Sequence, residues 1–299
     1  VPAAPAAFLE PGLLARISDL ALLARTVVDG FMHGQHRSLR KGSSLDFAEH
    51  RSYQPGDDLR RIDWRVYGRT DRFYIKQYDA DTNASVVFAL DQSGSMDFGS
   101  GSVTKFEYAR FLTASLAWLS QQQGDRIGLA TFTGDLVDVV PPSVRHLQLI
   151  LHTLARATAK GQSHLVPAID KVGVLMMRTG IVVLITDCYE RPDALGRAID
   201  ALRMRGHDVI VFHLVDPAEL QLPGDLPATF EDAESGVLLP LKPGELRTKY
   251  QALLTAHHDA LTKRIAAAGA DYVRIDTSEP LDRALHAYLD ARLSRSRVR

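Results

Sequence analysis

Two stretches, SVVFALD at 85–91 and IVVLITD at 181–187, run apolar through five consecutive residues and close on an aspartate, the second after a threonine. A strand with one solvated face would alternate apolar and polar residues. These have no polar face, so a covering layer is needed on each side, as in parallel sheets flanked by helices. RIGLATF (126–132), DVIVFHLV (208–215) and ADYVRI (270–275) read as further strands. Between them lie segments patterned for helices: 105–123, 145–158, 165–178 and 191–206, with a long helix at 244–268 and a last one from Pro280. LVDVVPP (136–142) is short and ends in prolines, which suits an edge strand, and ATFEDAESGVLLPL (228–241) has the form of a hairpin. Alternating strands and helices predict an α/β fold, doubly wound, with a mostly parallel sheet and helices on both faces.

Composition narrows the classes. The chain has 299 residues and a formal net charge of -1, so bulk charge recruits neither nucleic acid nor an anionic membrane. Cys188 is the single cysteine, which excludes an intrachain disulfide framework and a cysteine-based metal cluster. The most apolar N-terminal stretch, GLLARISDLALLARTVVDGFM, carries Arg16, Asp19, Arg25 and Asp29, unlike a membrane span or a signal peptide. Its Leu13, Ile17, Leu20, Leu23 or Ala24, Val27 and Phe31 recur at helical spacing, predicting one amphipathic helix packed on the body. A reducing cytoplasm is the expected location. Residues 33–81 are polar, Arg-rich and dotted with aromatics, but acids balance the arginines. The expected division is an N-terminal helix with an Arg/aromatic-rich extension at 1–82, then the α/β domain at 83–299.

Ligands in doubly wound sheets bind beyond the carboxyl ends of the strands. Asp91 and Asp187 both stand at such ends. Two carboxylates meeting in one crevice repel, and a divalent cation removes the repulsion; oxygen donors suit magnesium first, with manganese or calcium next. Ser93 and Ser95, two and four residues beyond Asp91, can turn to the same side, and Ser163 offers a hydroxyl in a later turn.

Asp-x-Ser-x-Ser after the first buried strand, a hydroxyl in a later loop, and ITD closing another strand resemble the metal-ion-dependent adhesion site (MIDAS) of von Willebrand factor type A domains. By that resemblance Asp91, Ser93, Ser95, Ser163 and Asp187 are the metal-site residues. A wider likeness, in EHRSYQPGDDLRRIDW, ALDQSGSM, GDRIGLATF and VPP, is to the bacterial and archaeal family catalogued as domain of unknown function 58. It is carried above all by Tyr53, Gly56, Asp57, Asp58, Arg60, Ile62, Asp63 and Trp64. The resemblance implies a von Willebrand factor A or Rossmann-like fold. It further implies a partner supplying an acidic residue to the metal, and association with a MoxR-type AAA+ ATPase in chaperone-like maturation or remodelling. Many relatives carry membrane helices upstream; this chain shows no such span. Three positions depart from the pattern: Ser163 stands where Thr is common, His164 where an acid is common, and Cys188 where Gly is common.

The plainer readings are a turn at Asp91, a surface or outer-shell role for His164, and a small buried hydrophobe at Cys188. Among enzymes, a magnesium-dependent phosphohydrolase would use Asp91 as nucleophile, but such enzymes want an acid two residues on, where Ser93 stands. A serine hydrolase wants Gly-x-Ser-x-Gly, and DQSGS lacks the first glycine. The expectation is therefore a non-enzymatic, metal-dependent interaction module that binds no nucleic acid.

Overall fold

The strand that ends at Asp91 is buried at all seven positions, and its side chains divide between two cores. Val86, Phe88 and Leu90 face one, Val87 and Ala89 the other, which is why no polar alternation appears in the sequence. The computed structural model describes residues 9–39, 50–52, 74–76, 84–221 and 226–296. In chain order these form α1 (Pro11–Leu14), α2 (Leu20–Leu39), β1 (His50–Ser52), β2 (Tyr74–Lys76), β3 (Ser85–Asp91), α3 (Lys105–Gln122), β4 (Arg126–Phe132) and β5 (Leu136–Ser143). There follow α4 (Leu147–Arg156), α5 (Leu165–Leu175), β6 (Ile181–Thr186), α6 (Pro192–Met204), β7 (Asp208–Val215), β8 (Ala228–Glu231), β9 (Leu238–Leu241), α7 (Pro243–Ala267), β10 (Asp271–Asp276) and α8 (Asp282–Ser296).

Six strands make the central sheet in the order β10-β7-β6-β3-β4-β5, all parallel except β5, which runs antiparallel to β4 at one edge. The expected doubly wound α/β architecture is present. From β3 the chain first winds outward through β4 and β5, then returns to place β6 on the other side of β3. The winding therefore reverses between β3 and β6, and the crevice beyond their carboxyl ends is the switch point where such sheets bind ligands. One core lies between the sheet and α2, α3, α4 and α8; the other holds α5, α6 and α7. Each large aliphatic side chain buried there contributes about 2 kcal/mol relative to exposure.

The N-terminal apolar stretch is not one helix. It breaks after Leu14 and restarts at Leu20, because Asp19 leaves the helix to cap the next: its Oδ1 accepts from the amides of Ala21 (2.8 Å) and Leu22 (3.2 Å). Leu20, Leu23, Ala24, Val27 and Phe31 are buried as the spacing predicts, and so is Val28, which it did not single out; Ile17 is half-buried and Leu13 is exposed. The hairpin expected at 228–241 is β8 paired antiparallel with β9. Of the Arg/aromatic-rich segment, β1 and β2 pair antiparallel; the residues from Tyr53 to Trp64 lie outside the described set. No helix among the described residues is long and apolar enough to cross a membrane.

Candidate metal centre

Asp91 is the last residue of β3 and is fully buried. After it the chain turns sharply: the Ser93 amide donates to Asp91 Oδ1 (2.9 Å), and a single 3-10 turn spans Gly94–Asp97. The hydroxyls of Ser93 and Ser95 lie 3.0 Å apart, so the two serines converge as their spacing predicts. The second oxygen of Asp91 accepts from the Thr186 hydroxyl on neighbouring β6 (2.7 Å). All these donors are neutral. Burial, reinforced by the charge of nearby Asp187, raises the Asp91 carboxyl to about 7, against the lowering pull of its bonds to Ser93 and Thr186. The β3–β6 pairing therefore brings the two acids together.

Asp187 is also buried but has a cation of its own. Lys105 Nζ, wholly buried, lies 2.9 Å from Asp187 Oδ2 and 2.5 Å from Glu219 Oε1. The Tyr189 hydroxyl donates to the same Glu219 oxygen (2.6 Å), and the lysine also sits over the Tyr189 ring. Burial pulls the ammonium down, but Asp187 and Glu219 outweigh it, so Lys105 is held above its ordinary value and stays charged. Lys105 opens α3, whose N-terminus is closed by a capping box between Thr104 and Glu107. A lysine at a helix start opposes the helix dipole. Two carboxylates within reach explain its place.

The loop bearing Ser163 is tied to the Asp91 turn through its backbone. The Lys160 amide donates to the Gln92 carbonyl and the Gly94 amide to the Gly161 carbonyl, each at 2.8 Å. Ser163 itself is half-buried, and its amide donates to Glu234 Oε2 (3.2 Å) from the β8–β9 hairpin. His164 is exposed, in keeping with a surface residue. Cys188 is fully buried, with its thiol pushed well up by burial and then by Asp187 and Asp91, so it is a packing residue and not a thiolate. Its φ of 55° is in the left-handed region, which explains why glycine suits this position; a non-glycine residue there costs about 1 kcal/mol.

Sequence reasoning missed Thr186, Lys105, Glu219 and Glu234. The first was visible in ITD but passed as a strand residue. A lysine in the first helical turn was a usable signal for the second. Glu219 and Glu234 come from far along the chain, and no local pattern announces them.

The donor set suits a hard divalent cation. Asp91, Asp187, Ser93 and Ser95 offer only oxygen, and the charges of Asp91, Asp187, Glu219 and Lys105 sum to -2, which one divalent cation balances. Among the described residues no group of three or more His, Cys, Asp or Glu is gathered for a metal. A centre here would be completed by hydroxyls, water or an acid from elsewhere, as magnesium sites commonly are.

A family model described as protein of unknown function DUF58 matches residues 49–260. A protein of Mycobacterium tuberculosis (strain H37Rv), described as uncharacterized, is 31% identical over 275 residues, 90% of this chain and 86% of its own. A Mycobacterium bovis protein, also described as uncharacterized, matches to the same extent. Among solved structures, the conserved hypothetical protein BatB from Bacteroides thetaiotaomicron superposes with a TM-score of 0.48 at 19% identity, over 70% of this chain and 98% of its own. The VWA domain of SpRpn10 does so with 0.45 at 13%, over 68% and 93%.

Proposed function

The chain belongs to the DUF58 family, and on that premise we propose that it is a non-enzymatic protein-interaction module whose binding depends on a divalent cation. Asp91, Ser93, Ser95, Ser163 and Asp187 would hold the ion, magnesium first and manganese or calcium next. When bound, the cation supplies a position at which a partner's Glu or Asp can attach. Asp91 and Asp187 supply the charge, Thr186 and the Ser93 amide fix the Asp91 carboxylate, and Lys105 fixes Asp187.

The observation that carries this reading is the meeting of two buried carboxylates and two hydroxyls at the β3–β6 switch point, with no cation against Asp91 among the described contacts. The partner class is a MoxR-type AAA+ ATPase in the cytoplasm, and the role chaperone-like maturation or remodelling. Support for the partner and role is the resemblance carried by Tyr53–Trp64 and the Asp91 motif, and for the cytoplasm the single cysteine.

The test is calorimetric titration of metal-stripped protein with magnesium and with manganese, beside Asp91→Ala. Saturable binding that the variant loses is expected, followed by metal-dependent retention of an AAA+ partner. Binding unchanged in the variant, or turnover of a phosphoester that depends on Asp91, would overturn the reading.

A further inference from the structure

We propose that Glu234, at the tip of the β8–β9 hairpin, is an internal acidic ligand of this centre, competing for the position that a partner's carboxylate would take. The inference rests on the metal-dependent reading above.

Two contacts seat the tip on the site. Glu234 Oε2 accepts from the amide of Ser163 (3.2 Å), a residue assigned to the centre. The Ala233 carbonyl lies where a side chain on residue 94 would have to be: a Cβ built on Gly94 would stand 2.7 Å from it. Gly94 separates Ser93 from Ser95, so the absence of a side chain there lets the hairpin tip pack against the turn that carries the two serines. The tip is shaped to present this one acid. Asp232 Oδ1 accepts from the amides of Glu234 and Ser235 (2.9 Å each), and Gly236, at φ 69°, donates its amide to the Asp232 carbonyl (2.8 Å). From Glu231 to Pro240 only Glu234 is half-buried; its neighbours are exposed.

Among the described residues the hairpin has little else to hold it. Val237, Leu238 and Leu239 are exposed, so little apolar burial in β9 opposes lifting the tip away, and segments with few buried contacts open readily. A carboxylate tethered beside the centre acts at a high effective concentration and excludes weak acidic partners. A partner must then present a Glu or Asp together with enough further contact to displace the tip. The exposed leucines of β9 are available for that contact.

The test compares wild type, Asp91→Ala and Glu234→Gln. Manganese affinity is measured by calorimetry and hairpin protection by amide hydrogen exchange with and without manganese. Glu234→Gln keeps the tip's own bonds, which use backbone amides and Asp232. The expected result is manganese binding about tenfold weaker in Glu234→Gln than in wild type. Manganese should also slow exchange at Ser235 and Gly236 in wild type only. Wild-type affinity in Glu234→Gln, with no metal-dependent protection of the hairpin, overturns this proposal and leaves the metal centre standing. Absence of saturable manganese binding in wild type, or its persistence in Asp91→Ala, removes the metal centre and this proposal with it.

Discussion

β3 lies between two fully buried carboxylates. At its start, Asp125 Oδ1 accepts from the Ala84 amide, and its other oxygen meets Arg292 from α8. Arg292 also donates to the Tyr288 hydroxyl (3.1 Å), which lies 2.6 Å from the Ser120 hydroxyl of α3, so the acid is part of a neutralised network joining two helices to the sheet. At its far end Asp91 meets, among the described residues, an amide and a hydroxyl, and the charge that acts on it is that of another acid. Burial is the same and compensation is not. An uncompensated buried charge is too costly to keep for structure alone, and perturbed groups of that kind gather at functional sites. The contrast separates an acid tied into the fold by a cation from one that the proposed function would use for binding.

The largest effect should come at the structural end. Asp125→Ala leaves Arg292 facing a lost partner and should cost about 4 kcal/mol in urea unfolding, with manganese binding unchanged. Lys105→Met gives Asp187 the predicament of Asp91. Metal-free stability should fall by about 3 kcal/mol, while manganese binds about tenfold more tightly because one competing positive charge is gone. If stability falls and manganese affinity does not rise, the charge argument for the centre fails.

Asp91→Asn should act in the opposite sense to Asp125→Ala, stabilising metal-free protein at pH 8 by a few kcal/mol while abolishing manganese binding. The pH dependence follows from the raised carboxyl. Folded Asp91 keeps its proton up to about 7, whereas unfolded it loses the proton near about 4. Metal-free wild type should therefore lose stability relative to Asp91→Asn as pH rises between those values, with a constant difference above them. Saturating magnesium should remove most of that difference. A difference independent of pH would mean that Asp91 is ionised at no cost. The smallest effect is at Thr186→Val, where loss of one hydrogen bond to Asp91 costs about 1 kcal/mol and should weaken manganese binding.

The acid-ended strands made the sheet and its crevice legible, because side-chain period and burial are local properties that a sequence displays. Asp91, Ser93 and Ser95 share one turn, so their convergence could be inferred from spacing alone. The N-terminal break was not legible: Asp19 reads equally as a charge on a helix and as a cap, and only the path of the chain decides. Lys105 was hidden for a related reason, since its partners Asp187 and Glu219 lie 82 and 114 residues further on. Glu234 was hidden because the hairpin reads as an ordinary surface element until its tip is placed over Gly94.

The pairing of β3 with β6 also sets when the centre can exist. Val86 faces Ile181 across the ladder, so nearly a hundred residues must be made and folded back before Asp91 meets Asp187. Closing so long a loop is slow and comes before any reward from the contact. A cation therefore cannot nucleate this fold as zinc does in a small finger. Metal binding would report that the middle of the sheet has assembled, and a chain halted before β6 would leave the ribosome with Asp91 present and no second acid to meet it.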